Sequence, residues 1–429
     1  MMTAERKLFS LRMTFRITSE KGYIKMKISL AVLFGGKSVE HEISIISAIQ
    51  AINNLDKNKY DIIPVYMTKS NEMYAGEKIG VISSYKNVPA LLKESRKVTF
   101  INEGDKVYLT DHPFIKKFKK EKTLIDIIFP IVHGTNVEDG CLQGYIKTLG
   151  VPFVGCDVTA SALGMDKYLM KLALKDAGIP VLDCVVINKF DYLSNSSDTI
   201  AKIKAASDYP VIVKPINLGS SIGIAKAKND EELVEALETA FSYASRVLVE
   251  RAVTDLREIN CSVVGDSEEA EASECEEPLN ATDILSYEDK YVGGNASKGA
   301  KGAKSGSTDS QGMASLARKI PADISAERRA EIREMAVKAF KALGCNGVSR
   351  IDFMIDGKDD KVYVNEINTI PGSLSFYLWE PIGIPYEKLL DKMIQLSLKR
   401  AREEKDINYT FDTNVISLCN DGALGGAKK

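Results

Sequence analysis

Residues 348–368, VSRIDFMIDGKDDKVYVNEIN, decide how this chain is read. Val348–Ile355 and Val362–Asn368 alternate and are rich in β-branched residues, the pattern of two strands. Asp356-Gly357-Lys358-Asp359-Asp360-Lys361 between them is a turn-rich link of hairpin type. Side chains two apart on a strand share a face. Arg350 and Asp352 therefore point one way, and Ile351 and Phe353 the other; Glu366 and Asn368 likewise share a face. Folded as a hairpin, the segment brings two carboxylates, an amide and a guanidinium onto one surface. Oxygen ligands of that kind suit Mg²⁺, especially with phosphate oxygens completing the octahedron. Taken alone, the face reads more simply as the charged outer side of an ordinary hairpin.

The rest of the chain sets bounds on that choice. Its 429 residues leave room for two or three domains and a large core. Hydrophobic content of 45% and charged content of 27% belong to a soluble globular protein. A formal net charge of −2 gives no global reason to expect nucleic acid as a partner. No apolar run approaches the ~20 residues a membrane span needs. Seven scattered cysteines without a CxxC pair indicate reduced thiols in a cytoplasmic protein, and three histidines exclude a His-rich metal site. Residues 1–25 are basic and lack the apolar core of a secretory signal, so they read as an extension outside the fold.

Residues 26–155 read as an α/β unit. A strand at 28–34 ends at Gly35-Gly36, a helix follows from about Val39 to Asn53, and Asp61–Tyr66 is the next strand. Leu124–Val132 is a buried strand that runs into His133-Gly134-Thr135 and a further helix. Strand–Gly loop–helix repetition predicts a parallel, doubly wound sheet, with 70–122 as a small insertion. Ligands in such sheets sit at the carboxyl ends of strands, where loops 35–42 and 133–140 fall. A second unit spans 156–250, with a helix over Thr159–Asp176, a strand at 209–215, the loop Gly219-Ser220-Ser221-Ile222-Gly223, a helix at 230–244 and a strand at 246–250. A third runs from 251 to 404 and holds a strand at 257–264, a helix at 324–343 and the hairpin. Asp266–Glu277 reads as a solvated acidic loop, 292–316 as a flexible Gly/Ser/Ala/Lys excursion, and 405–429 as a tail.

Several residues could carry chemistry. The Gly219–Gly223 loop follows Val213-Lys214-Pro215; its glycines let the backbone close on a phosphate, and its serines can donate to one. A plain β-turn explains it as well. Lys167 in a helix is by default solvated, and Glu250 at a strand end could accept adenine amino hydrogens. Glu40 sits at a helix start, where the dipole already favours a carboxylate; it could also accept a substrate ammonium. His133 lies in a Gly-flanked loop, placed to face a ligand.

Together the motifs resemble the D-alanine–D-alanine ligase family of ATP-grasp enzymes, over residues 26 to about 400. The matching segments are Leu33–Ser44; His133-Gly134-Thr135 with Glu138-Asp139-Gly140 and Gln143-Gly144; Ser161–Lys167; Val213-Lys214-Pro215 with Gly219–Gly223; Tyr287–Tyr291; and Arg350-Ile351-Asp352 with Glu366–Gly372. The resemblance implies an ATP-grasp fold, α/β and in part α+β, behind a Rossmann-like parallel-sheet N-terminal domain. It implies ATP-dependent ligation of two D-alanines through an acyl phosphate, for peptidoglycan precursor synthesis. Asp352, Glu366 and Asn368 would hold two Mg²⁺ ions, with Mn²⁺ as a substitute. Lys167, Lys214 and Lys290 would contact phosphates, with Ser221 also on the nucleotide. Glu250 and the Val253 backbone would bind adenine, and Glu258 the ribose. Arg350 and the Gly372 amide would stabilise the oxyanion. Glu40 would bind the first substrate's ammonium, and Glu40, Ser220 and Tyr291 would close the site. Substrate contacts would extend to His133, Ser373 and Tyr377. A homodimer fits the resemblance, although no residue of the sequence marks an interface.

Three departures stand out. Val137 replaces a usual glycine, Tyr377 stands where the family places a serine against the second substrate's carboxylate, and 292–316 lengthens the loop that bears Lys290 and Tyr291. Tyr291 itself favours an amine nucleophile over D-lactate. A same-fold ligase taking D-serine second is the nearest rival; a non-catalytic nucleotide-binding regulator is disfavoured by the retained Asp352, Glu366, Asn368, Arg350 and lysines.

Overall fold

In this computed structural model the described residues are 27–113, 121–219, 222–279 and 318–408. The expected extension 1–25, the excursion 292–316 and nearly all of the tail lie outside them. The first sheet comprises β1 (Ile28–Gly35), β2 (Tyr60–Met67), β3 (Met73–Ala75), β4 (Arg96–Glu103), β5 (Lys106–Asp111), β6 (Lys122–Ile125) and β7 (Ile127–Ile131), in the order β6-β5-β4-β3-β2-β1-β7. Helix α1 (His41–Asn54) supplies the crossover that lets β1 and β2 run parallel, and β1 is also parallel to β7. The rest of the sheet is antiparallel. The parallel sheet expected from the sequence is thus confined to β2-β1-β7. Residues 70–122 are not a separate insertion but extend the same sheet, because links as short as that between β4 and β5 allow only antiparallel return.

Helix α2 (Val88–Glu94) precedes β4 of the first sheet, and α3 (Cys141–Leu149) and α4 (Val158–Met165) begin the passage to the second. The helix predicted over Thr159–Asp176 breaks at Asp166. Its carboxylate accepts from the backbone N–H of Tyr168 at 3.0 Å and of Leu169 at 2.9 Å, and so caps a new helix, α5 (Lys167–Asp176). The second sheet is antiparallel, with β8 (Cys184–Asn188), β9 (Val211–Pro215), β10 (Ala225–Ala227) and β11 (Arg246–Arg251) in the order β10-β9-β11-β8. Its apolar face is covered by Leu233, Leu237 and Phe241 of the helix Asp230–Tyr243.

The third sheet carries the segment that opens the sequence reading. Its strands are β12 (Arg257–Gly265), β13 (Ala270–Pro278), β14 (Arg318–Lys319), β15 (Gly347–Asp356) and β16 (Lys361–Asn368), in the order β14-β13-β12-β15-β16. The acidic run Asp266–Glu277 is therefore mostly a strand rather than a solvated loop. A register shift between Cys261 and Val263, where β12 pairs β13, moves Ala272 and Cys275 to the same core and hides the alternation from sequence inspection. The helix Ala326–Ala342 packs Ile332, Ala336 and Phe340 on the core face. The core of the first sheet continues into Leu374, Trp379 and the final helix, Tyr386–Lys405, so the two ends of the chain share one interior.

Helix α4 approaches β16 so closely that a Cβ on Gly164 would lie 2.7 Å from Thr369 Cγ2 and 3.3 Å from Ile367 Cγ2. Gly164→Ala is expected to lower stability by about 1–3 kcal/mol through overpacking. The measurement is a fall in the denaturant midpoint at unchanged m-value; an unchanged midpoint would refute the close approach.

Candidate active site

The register of β15 and β16 sets the platform. Arg350 lies opposite Asn368 and Asp352 opposite Glu366, so all four side chains share one face, while Ile351, Phe353 and Ile367 are buried on the other. Arg350 grips Asp352 with two bonds, Nε to Oδ1 at 2.6 Å and Nη2 to Oδ2 at 2.7 Å, and Asn368 Nδ2 donates to Asp352 Oδ2 at 3.1 Å. Burial works against the guanidinium charge, but Asp352 more than offsets it and holds Arg350 protonated. Among the described residues no three His, Cys, Asp or Glu side chains cluster as a self-sufficient metal site. Two carboxylates and an amide oxygen are an incomplete set of hard donors, one that fits Mg²⁺ shared with phosphate oxygens.

Two of the predicted lysines converge here. Lys167 is the first residue of α5 rather than a mid-helix residue; its Nζ donates to the Leu218 carbonyl at 2.6 Å and lies 3.4 Å from Glu366 Oε2. Lys214 on β9 donates to Asn365 Oδ1 at 3.0 Å and is paired with Glu250. Burial would raise the Glu250 carboxyl, but Lys214 and then Lys171 outweigh it and hold the group ionised, well below the usual range. Lys171 Nζ reaches Glu250 Oε2 at 2.6 Å and the Leu182 carbonyl at 3.0 Å. Sequence inspection missed Lys171. Its signal was the four-residue spacing from Lys167, which places both on one face of α5. Glu258 lies on β12 two residues from Asn260, on the face of the platform, and Val253 is half-buried just after β11.

The glycine loops meet at Glu40. This buried residue precedes α1, and a Cβ on Gly134 would lie 2.7 Å from its Oε2; one on Gly219 would lie 3.1 Å from the same atom. Loops after β1, β7 and β9 thus crowd one carboxylate, and Thr135 Oγ1 ties two of them by donating to the Asn217 carbonyl at 2.8 Å.

The loop after β16 is held from the first sheet. Glu138 accepts from the N–H of Gly134 at 3.0 Å and of Ile370 at 2.8 Å. Burial, then the nearby Glu40 charge, pushes its carboxyl up to about 8. His133, expected to face a ligand, is buried with both ring nitrogens engaged: Nδ1 with the Ile370 carbonyl at 2.7 Å and Nε2 with Ser47 Oγ at 2.8 Å. Because a carbonyl only accepts, Nδ1 carries the proton and Nε2 accepts from Ser47, whose oxygen in turn accepts from the Ser373 N–H at 2.9 Å. Both backbone groups of Ile370 are therefore fixed just before Gly372. Beyond it, Ser373, Leu374 and Ser375 all lie in the left-handed region, at φ 52°, 51° and 50°, an arrangement costing roughly 1 kcal/mol or more per residue. The Ser373 and Ser375 hydroxyls are buried without a hydrogen-bond partner among the described residues. Tyr377 is buried at the end of this coil. Ser220, Ser221, Lys290 and Tyr291 lie outside the described residues.

Comparison with known proteins gives the same picture from outside. Residues 29–156 match the family model described as D-ala D-ala ligase N-terminus, and residues 173–395 match D-ala D-ala ligase C-terminus. The chain is 40% identical to a D-alanine–D-alanine ligase of Thermosipho africanus over 391 residues, 91% of this chain and 99% of that protein. It superposes on the VanG D-Ala:D-Ser ligase from Enterococcus faecalis with a TM-score of 0.69 at 32% identity, over 87% of this chain and all of the other. A Bacillus anthracis D-alanine–D-alanine ligase complexed with ATP gives a TM-score of 0.59 at 27% identity, covering 88% of this chain and 99% of that one.

The His133 network carries a pH signature. Burial, only partly opposed by the Ile370 carbonyl, holds the imidazole down at about 4 instead of near 6.5. The unfolded chain then binds more protons between those values, so the contribution of His133 is complete above about 6.5 and is lost as pH falls towards 4. The stability advantage of the wild type over His133→Asn is expected to shrink as thermal melts are taken from pH 7 to pH 4.5. An advantage independent of pH would refute a neutral, buried His133.

Proposed function

The chain belongs to the D-alanine–D-alanine ligase family, and we propose that its site joins two D-alanines at the expense of ATP, an ADP-forming ligation that supplies a dipeptide precursor of peptidoglycan. The observation that carries this reading is the single polar face of Arg350, Asp352, Glu366 and Asn368, with Lys167 beside Glu366 and Lys214 tied to Glu250. No helix among the described residues is long and apolar enough to cross a membrane. We place the enzyme in the cytoplasm, with ATP and D-amino acids as its partners and a homodimer as the assembly that sedimentation would test.

In this reading adenine lies against Glu250 and the Val253 backbone, and the ribose against Glu258. Lys167, Lys214, Lys290 and Ser221 take the phosphates. Asp352, Glu366 and Asn368 hold Mg²⁺, two ions with Mn²⁺ as a substitute; bound there, the metal supplies charge neutralisation for phosphoryl transfer. Glu40 receives the ammonium of the first D-alanine and so aims its carboxylate at the γ-phosphate. The acyl phosphate that results is attacked at its carbonyl carbon by the amine of the second substrate, and inorganic phosphate leaves. Arg350 and the Gly372 N–H donate to the oxyanion of that tetrahedral state, a contribution of ~10²–10³ in rate per donor. Glu40, Ser220 and Tyr291 close the site, and Ser373 and Tyr377 border the second substrate. The hold of His133 on the Ile370 carbonyl and of Glu138 on the Ile370 N–H supports the oxyanion role of the nearby Gly372 amide.

A second reading, D-serine as the second substrate, draws on Tyr377 standing where the family places a serine, and on the similarity to a D-Ala:D-Ser ligase. Incubation with ATP and D-alanine, D-serine or D-lactate in turn, followed by phosphate release and mass spectrometry, separates the two. Expected are D-alanyl-D-alanine as main product and no depsipeptide; D-serine incorporated with the higher kcat/KM would establish the second reading. Glu366→Gln is expected to lower kcat by more than ~100-fold, beyond what outer-shell changes around a metal cost. Product formation left intact would overturn the metal assignment.

A further inference from the structure

A single buried carboxylate stands between two lysines. Lys214 of β9 lies opposite Leu248 of β11, two residues before Glu250, so Lys214 and Glu250 are diagonal neighbours on one face of the second sheet. Lys171 reaches the same carboxylate from α5, one helical turn or ~6 Å beyond Lys167. Glu250 is 1% exposed, and each of its oxygens meets one ammonium: Oε1 that of Lys214, and Oε2 that of Lys171 at 2.6 Å. Among the described residues the other partners of the two lysines are neutral oxygens, the Leu182 carbonyl for Lys171 at 3.0 Å and Asn365 Oδ1 for Lys214 at 3.0 Å. We propose that Lys171 is a positioning residue, the resident counter-ion of Glu250 that frees Lys214 to leave this carboxylate for the nucleotide phosphates.

This role rests on the ligase reading, in which Lys214 binds phosphate, and it follows from the cost of an unpaired buried charge. With Lys214 as its only partner, Glu250 would be left as an isolated ion in the interior whenever Lys214 turned to a phosphate. Lys171 removes that cost, because its pairing with Glu250 survives the exchange. The two lysines are not equivalent. Lys171 is fixed: Met170 and Leu174 on the same helix are fully buried in the core, and its ammonium is tied to the backbone at Leu182. Lys214 instead reaches across to the strand that bears the metal platform. Its partner Asn365 is the extra residue of a bulge in β16, where Asp352 pairs with Glu366 but Phe353 pairs with Val364. Asn365 adjoins Glu366, the carboxylate that Lys167 approaches at 3.4 Å. Lys214 therefore stands between the adenine carboxylate and the phosphate end of the site, whereas Lys171 serves the adenine end alone.

Adenosine and ADP separate the two demands, because adenosine asks for the adenine contact alone and ADP for adenine and phosphates together. Binding of each to the full chain with Mg²⁺ is measured by calorimetry for wild type, Lys171→Met, Lys171→Arg, Glu250→Gln and Lys171→Met/Glu250→Gln, alongside thermal melts. For Lys171→Met the Kd of ADP should rise about 10–100-fold, the worth of a charge-assisted bond, while that of adenosine stays close to wild type. Lys171→Arg, which keeps the charge, should recover most of the ADP affinity. In the Glu250→Gln background no buried charge needs a counter-ion, so Lys171→Met should change ADP binding little there. That comparison decides the question even if Lys171→Met alone does not fold. Equal loss of ADP and adenosine, a loss undiminished in the Glu250→Gln background, or no loss at all would overturn the proposal. A wild type that neither binds ADP nor makes dipeptide would instead overturn the ligase reading beneath it.

Discussion

Burial of Ile351, Phe353 and Ile367 against the helix Ala326–Ala342 is the constraint on which the site depends. These side chains must face the core, so β15 and β16 cannot slip by one residue without exchanging the two faces. Such a slip would bury Arg350, Asp352, Glu366 and Asn368 in apolar surroundings, at a cost far above any local gain. The polar face is therefore specified by the buried residues on the opposite side of the same strands. The pairing with β12 extends the same constraint to Asn260 and, one strand further, to Glu276.

A second device fixes what the sheet cannot reach. The loop that follows β16 carries a run of left-handed residues, a conformation that would relax if left alone. His133 and Glu138 hold the carbonyl and the N–H of Ile370, and Ser47 holds the N–H of Ser373. All three holders belong to the opposite end of the chain. The strain is sustained by that external grip and by Trp379 and Leu374 in the shared core. Burial, against the opposing pull of these contacts, shifts His133 and Glu138 in opposite senses, because it favours the neutral form of both an imidazole and a carboxylic acid.

Legibility in the sequence followed the range of the interaction. The β15–β16 hairpin, β1, β7, the helix Asp230–Tyr243 and the loops at strand ends were readable because period and turn chemistry are local. The break at Asp166 was not read, although its capping role is local; the continuous apolar pattern masked it. Strand β13 was hidden because its glutamates look solvated until Arg318, Asn260 and Arg329 arrive from elsewhere to meet them. The candidate residues Lys167, Lys214, Glu250 and Glu40 could be named from the sequence, and Glu138 appeared there only as part of a motif, whereas Lys171, Glu276 and Arg318 could not be singled out, since each is paired with a residue at least 40 positions away in the chain.

By itself, then, the sequence determined which side chains share a strand face, where the glycine loops fall and which family the order of motifs resembles. Those properties follow from a backbone whose strand period is two and from turn residues whose conformations are intrinsic. Tertiary structure alone decided that the first sheet is mixed, that His133 is a holder with both nitrogens engaged, and that Tyr377 faces Glu276 beneath Arg318. Burial and long-range pairing set those outcomes, and neither has a magnitude until distant segments have been brought into contact.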